Sequence, residues 1–400
     1  MKYIDLFAGI GGFRYGLDDA GYECVFTSEI DTVPSEMYKL LHNEQEIHGD
    51  ITKINAEDIP DHDLLVGGFP CQGFSTNGTR LGFKYKTGNL FFEALRVAKE
   101  KKPKYVLMEN VTGLLNHDKG KTISIMMKSL SDAGYSVDFH ILTSTDFGLP
   151  QKRSRVFIVG VLNYETEDWK ETEIKQVNRA KEIVKNNFPD VKSFNFPYPV
   201  GTKHCNSLES VLDEDIDGNQ IEYLEFGDFL KYLGDGVYRI KDGTNKGYTD
   251  FKPIPNETTI DYTFTTSKTR RGRIKHGATK TLDQSVDVAL FDGNGFRRIG
   301  AKEVFRLQGF PDSAYNLLKE KGFKENQLYR RPSRSVSIPI IKNLGESLHK
   351  FHEELNTVTK CSNCKHWAEI DEGIGVCENE ETVELHTMKD DGCTIQNTYI

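Results

Sequence analysis

The first 162 residues predict an α/β protein on a mainly parallel, doubly wound sheet, and three observations carry that reading. Short apolar runs recur at 3–6, 24–28, 64–67, 105–108, 137–142 and 156–161, which is the length and composition of buried strands. Amphipathic stretches at 13–20, 91–101 and 122–133 fall between them, so strand alternates with helix and a sheet covered on both faces follows. Glycine-rich turns then follow two of the strands, at the edge where open α/β sheets bind ligands.

The elements can be justified in order. The first strand runs into Asp5-Leu6-Phe7-Ala8-Gly9-Ile10-Gly11-Gly12-Phe13. Gly9, Gly11 and Gly12 let the backbone approach a ligand at a helix N-terminus. The second strand ends at Glu29, where a ribose-binding carboxylate is expected. A further short strand should precede Gly49-Asp50. Together these residues describe a nucleoside site. The spacing is not Gly-x-Gly-x-x-Gly, which argues against a nicotinamide dehydrogenase.

The strand at 64–67 leads into Gly67-Gly68-Phe69-Pro70-Cys71-Gln72-Gly73-Phe74-Ser75. Structural cysteines are buried and inert, whereas reactive ones sit partly exposed. Cys71, flanked by glycines at a strand end, has the second setting. The strand at 105–108 ends in Glu109-Asn110-Val111, and a carboxylate at a buried strand end is costly unless used or paired. Later comes Gln151-Lys152-Arg153-Ser154-Arg155. Strand alternation would put Arg153 and Arg155 on one face, a pair suited to a carboxylate, phosphate or base carbonyl.

From 163 to about 296 the alternation breaks down into Gly, Pro, Asn, Tyr and charged residues, with strand-like pieces at 236–240 and 262–266. Helix returns at 301–308, stopped by Gly309 and Pro311, and again from 338 to about 355. The expected division is a catalytic, cofactor-binding domain of 1–162 plus 331–356, a smaller irregular domain of 163–330, and a tail of 357–400.

The chain has 400 residues, a formal net charge of −9 and 7 cysteines. No apolar run approaches the length of a membrane span, and the start does not resemble a signal peptide. A cytoplasmic protein with reduced, metal-bound or catalytic cysteines is expected. Residues 360–400 carry 3 basic and 9 acidic side chains, so the body is close to neutral. Within it, Lys268, Arg270, Arg271, Arg273, Lys275 and Lys280 form a run without an acid, the local field that phosphate contact requires. In the tail, Cys361, Cys364, Cys377 and Cys393 supply four thiolates. The first pair has metal-knuckle spacing, which predicts structural zinc, with iron as the alternative and His366 and His386 as substitute ligands.

The blocks at Asp5–Gly12, Pro70-Cys71-Gln72, Glu109-Asn110-Val111 and Gln151–Arg155, in that order, resemble the signature blocks of the cytosine-5 DNA methyltransferases. Arg297 to Pro311 and Ser335-Val336 resemble two later blocks, so the likeness covers about 1–355 apart from much of 163–280. It implies the class I S-adenosylmethionine-dependent methyltransferase fold, with 163–330 as target-recognition domain. It also implies that Cys71 adds to carbon 6 of a flipped cytosine, that Glu109 holds ring nitrogen 3 and the exocyclic amine, and that Arg155 holds the base carbonyl with support from Arg153. Flipping is required because the ring is inaccessible inside a duplex. For the cofactor, the resemblance implies Phe7 and Asp50 at the adenine, Glu29 at the ribose, and Pro70 and Leu90 lining the pocket. Ala8, Gly9, Gly11, Gly12, Ile30, Ile51 and Ser335 complete the set.

The last block departs from the family pattern: Ser333-Arg334-Ser335-Val336 stands where Gly-Asn-Ser-Val is usual. The expected partner is double-stranded DNA, for a monomeric enzyme, with a restriction endonuclease acting on the same site without direct contact. The rivals are a tRNA-directed cytosine-5 methyltransferase, which has little between its counterparts of Arg155 and Arg297, and a catalytically silent DNA-binding paralogue.

Overall fold

The computed structural model describes, with side chains, residues 1–69, 90–202, 204–213, 223–225, 227–242, 247–263, 265 and 272–356, and the backbone alone of 357–362, 367–371, 374–377, 385–388 and 393–395. The chain divides into two compact units, one of Met1–Phe196 and Val200–Lys342, the other of Pro197–Pro199 and Asn343–Ile400.

The first unit begins with β1 (Lys2–Leu6), α1 (Gly12–Asp19), β2 (Glu23–Ser28), α2 (Thr32–His42), β3 (Leu64–Gly67), α3 (Leu90–Lys101), β4 (Tyr105–Val111), α4 (Lys121–Asp132), β5 (Tyr135–Thr143), β6 (Gln151–Lys152) and β7 (Ser154–Leu162). All six expected strands are present in one sheet of order β2-β1-β3-β4-β7-β5. Neighbours from β2 to β4 pair parallel, and β7 is antiparallel to both β4 and β5. β7 therefore runs against the other described strands of this sheet. Apolar runs such as Leu64-Leu65-Val66, fully buried, fit strands covered on both faces.

The strand expected before Gly49 does not form. A single parallel bridge joins His48 to Ser28, and Asp50 instead caps a 3-10 turn at Ile51–Lys53. The helix α2 is not apparent from the sequence pattern; its Met37 and Tyr38 are fully buried.

The division at residue 162 needs correction. Beyond it, α5 (Lys175–Asn187) returns to the sheet. Val177, Ala180, Val184 and Val191 join the core formed by Tyr135, Val137 and Ile158. Charged residues at 175, 179, 181, 182 and 185 disguised this helix as part of the irregular region. One of them, Lys181, is buried 2.7 Å from the buried Asp138 of β5. Asp138 also accepts from Phe196 N at 3.0 Å. Removing one member of such a pair strands the other charge in low dielectric. Asp138→Ala is expected to lower unfolding stability by about 3–5 kcal/mol, read from urea denaturation. A loss below about 1 kcal/mol, the scale of an exposed pair, would show that α5 is not anchored this way.

The irregular segment contains β8 (Leu230–Gly234), β9 (Val237–Lys241), β10 (Tyr248–Phe251), β11 (Thr258–Asp261), β12 (Arg273–His276), β13 (Thr279–Lys280), β14 (Val288–Phe291) and β15 (Phe296–Arg298). They form antiparallel sheets β10-β9-β8 and β12-β11-β14-β15, and β13 pairs parallel with β6. Phe229, Ile240, Ile260, Phe291 and Phe296 make a small core of their own. The strand expected at 236–240 is β9; β11 ends at Asp261, before the piece expected at 262–266, of which Phe264 and Thr266 lie outside the described residues.

The helices α6 (Ala301–Gln308), α7 (Asp312–Glu320) and α8 (Glu325–Arg330) follow. Glu303 accepts from Gly300 N at 2.6 Å at the start of α6, and Gly309 closes it at φ +87°. Phe305, Phe310, Ala314 and Leu318 pack with Ile10 and Met37, while Val304 and Leu307 of α6 pack with Leu282, Val288 and Leu290, so α6 sits between the first part of the chain and the irregular segment. The helix α9 (Ile338–Ser362) outruns its expected end near 355. In the second unit, β16 (Trp367–Asp371), β17 (Ile374–Cys377), β18 (Leu385–Met388) and β19 (Cys393–Ile395) form an antiparallel meander. Among the described residues no helix is long and apolar enough to cross a membrane.

Candidate active site

The C-terminal ends of β1, β2, β3 and β4 meet at one edge of the sheet. Phe7, just past β1, has φ +60°. Left-handed backbone at a bulky residue costs about 1–3 kcal/mol and clusters at ligand sites. Gly9 and Gly11 follow in the same region, at φ +60° and +84°. A side chain at Gly11 would collide with the His42 ring, and one at Gly12 with Ser335 Oγ. The turn is therefore as close to α2 and to the chain before α9 as glycine permits.

Glu29 stands over this turn. Its Oε2 accepts from Gly9 N and its Oε1 from Asp31 N, both at 2.8 Å. Burial pushes the carboxyl up from its ordinary value, against those two hydrogen bonds. Beside it Ile30 is 69% exposed, an apolar side chain left open next to a polar one. Ala8 is buried, its N–H donating to Ser28 O at 3.1 Å. Asp50 lies below the ordinary carboxylate range because Thr52 donates to it from both hydroxyl and backbone. The Ile51 side chain belongs to the core under the sheet, so only its backbone is available to a ligand. Leu90 opens α3 half-buried against that core. The open space at Gly9, a half-buried carboxylate and an exposed aliphatic fit a nucleoside with a charged tail.

A second group lies beside the first. Glu109, near the end of β4, is almost fully buried, and Arg155 Nε of β7 lies 3.0 Å from its Oε1. A Cβ on Gly68 would sit 3.3 Å from Glu109 Oε2, so the stem of the cysteine loop passes directly over this carboxylate. Asn110 holds that stem, donating from Nδ2 to Phe69 O at 3.1 Å. Pro70 and Cys71 lie outside the described residues, one and two positions beyond that anchor. Sequence reasoning gave Asn110 no role, although it stands inside the Glu-Asn-Val block.

Arg153 and Arg155 part company, contrary to the expectation of one shared strand face. Arg153 falls in the break between β6 and β7 and is buried, with Nη1 donating to Ser333 O at 3.0 Å. It thereby ties the active-site strand to the segment that carries Ser335. Arg155 alone of the two reaches Glu109 among the described contacts.

A family model for the C-5 cytosine-specific DNA methylases matches residues 1–350. The chain belongs to that family. It is 36% identical over 363 residues to the type II methyltransferase M1.ScrFI of Lactococcus lactis subsp. cremoris, covering 88% of this chain and 79% of the relative. It is 33% identical over 351 residues to the type II methyltransferase M.NlaX of Neisseria lactamica, covering 87% and 96%. Among solved structures, S. pombe Dnmt2 methyltransferase aligns with TM-score 0.56 at 19% identity, covering 89% of this chain and 99% of that one. That likeness shows the fold. The enzyme is thus a DNA cytosine-5 methyltransferase with the α/β sheet that its sequence predicted. Of the expected tail ligands, Cys361, Cys377 and Cys393 fall in elements described by backbone alone, and Cys364 lies outside the described residues. Among the residues with described side chains there is no metal-ligating cluster.

Proposed function

We propose that this methyltransferase modifies carbon 5 of a flipped cytosine in double-stranded DNA through a covalent Cys71 adduct, with S-adenosylmethionine as donor. The observation that carries the reading is the meeting of Glu109, Arg155 and the Cys71 stem next to the glycine cradle. Phe7, Ala8, Gly9, Gly11, Gly12, Glu29, Ile30, Asp50, Ile51, Pro70, Leu90 and Ser335 would hold the cofactor, Ile51 through its backbone. When bound it supplies an electrophilic methyl group.

The Cys71 thiolate adds to carbon 6 of the ring. Glu109 hydrogen-bonds ring nitrogen 3 and the exocyclic amine, and Arg155 the base carbonyl, so charge entering the ring is met by fixed groups. Carbon 5 becomes nucleophilic and takes the methyl group. Loss of the carbon 5 proton then returns electrons to the ring and expels Cys71, one hard step being split into easier ones. Arg153 positions this strand through Ser333.

The substrate is proposed to be DNA. The tRNA-directed rival lacks a long insert, and here 223–298 builds two antiparallel sheets. Exposed Arg273 and Lys275 on β12 suit phosphate contact; Lys268, Arg270 and Arg271 lie outside the described residues. As for the type II relatives named above, a restriction endonuclease at the same site is the proposed context, and the enzyme is proposed to act as a cytoplasmic monomer. Transfer of labelled methyl from S-adenosylmethionine to unmethylated DNA, followed by bisulfite sequencing, tests the reading. Label in RNA but not in DNA would overturn it.

The tail is proposed to bind structural zinc through Cys361, Cys364, Cys377 and Cys393. About one zinc per chain is expected, as for a single tetrahedral four-thiolate site. Truncation after Asn356 should abolish zinc binding and leave methyl transfer measurable. Metal-free protein with four titratable tail thiols would refute the site. A folded, inactive truncation would make the tail part of the working enzyme.

A further inference from the structure

Gln151 lies in the family block before Arg153, yet nothing in the reaction uses it. It is fully buried, and its amide makes three hydrogen bonds to two segments distant in sequence. Oε1 accepts from Leu282 N at 3.1 Å and from Gln308 Nε2 at 3.4 Å, while Nε2 donates to Leu307 O at 2.9 Å. Leu282 closes the return from the irregular segment, and Leu307 and Gln308 end α6. The backbone adds to this junction: Thr279 N donates to Pro150 O at 2.9 Å and Thr281 Oγ1 to Lys152 O at 2.8 Å. Buried amide hydrogen bonds fix the relative placement of the segments they join.

The position of this junction matters more than its strength. On one side, β13 follows β12 after only Gly277 and Ala278, and β12 exposes Arg273 and Lys275. On the other side, Arg153 is two residues along and Arg155, beside Glu109, is four. A strand moved by DNA on its exposed cations would therefore pull on Gln151 before it reached any catalytic group.

We propose that Gln151 is a positioning residue that sets the register between the DNA-contacting return strand and the strand carrying Arg153 and Arg155. The inference rests on the DNA-methylating reading above. Displacing that strand by about an ångström costs on the order of 100-fold in rate, because reacting groups tolerate little misplacement. Substrate affinity, set by surface cations, changes far less.

The test uses the full-length enzyme, tritiated S-adenosylmethionine and unmethylated bacterial genomic DNA. Gln151→Met keeps the shape and removes all three amide bonds. A kcat loss of roughly 10- to 100-fold is expected. KM for DNA and Kd for S-adenosylhomocysteine, measured by calorimetry, should stay within about threefold of wild type. Thr281→Val, which deletes only the surface bond to Lys152, covers the case in which Gln151→Met does not fold, and a smaller kcat loss with the same unchanged KM is expected. An unchanged kcat in either folded variant overturns the proposal. So does a kcat loss matched by equal weakening of DNA and cofactor binding, which would mark general scaffolding. Wild-type enzyme that fails to methylate DNA would instead refute the functional reading on which this rests.

Discussion

Replacing Cys71 by serine is expected to lower methyl transfer by roughly four to six orders of magnitude, the scale on which enzymes lose rate with their covalent nucleophile. A serine hydroxyl has a far higher pKa than a thiol and no neighbouring base here is assigned to activate it. The side chains differ by one atom, so DNA and cofactor binding should survive. DNA containing 5-fluorocytosine separates the outcomes, because fluorine at carbon 5 cannot leave as a proton and the adduct is trapped. Wild type should yield a protein–DNA species stable to denaturing electrophoresis, and Cys71→Ser should not. An adduct in the serine variant, or none in wild type, would sink the assignment. Asn110 holds Phe69, two residues before Cys71 in the chain, next to Glu109 on β4.

Glu109→Gln is the second large effect, with kcat lower by about 10²- to 10⁴-fold, the usual contribution of a positioned acid or base. Glutamine matches the carboxyl in size and still offers one donor and one acceptor. Unlike a carboxyl group, it cannot exchange a proton with the ring as carbon 6 is attacked. It also leaves Arg155, now 3.0 Å from a carboxylate, facing a neutral amide. Affinity for S-adenosylhomocysteine should be unaffected, since Glu29 and the glycine turn are the residues proposed to do that binding. Single-turnover rates with tritiated cofactor check the prediction. A variant within tenfold of wild type would mean that Glu109 only supports Arg155.

The residues with intrinsic chemistry are legible in the amino-acid sequence itself. Glu29, Glu109, Arg153 and Arg155 all lie at the sheet edge or tied to it, because short continuous apolar runs between turn residues form the buried strands and these polar residues stand at or beside the strand ends. What sequence spacing cannot express is which distant segments share a buried polar group. Arg153 and Arg155, two residues apart, are expected side by side. A break in the strand sends Arg153 to Ser333 and leaves Arg155 with Glu109. Asn110 and Gln151 are invisible for the same reason, since an amide acquires a role only from the partners that tertiary packing delivers.

Sequence alone thus determined the six strands, their mainly parallel sense, the glycine turn after the first strand and the family, since these follow from local pattern and from ordered blocks. Only the tertiary structure decided that α5 packs on the sheet and that α6 sits between the first part of the chain and the irregular segment. That placement depends on which apolar faces meet. For α5 it also depends on the burial of one lysine against Asp138, a long-range contact that leaves no periodic trace in the chain.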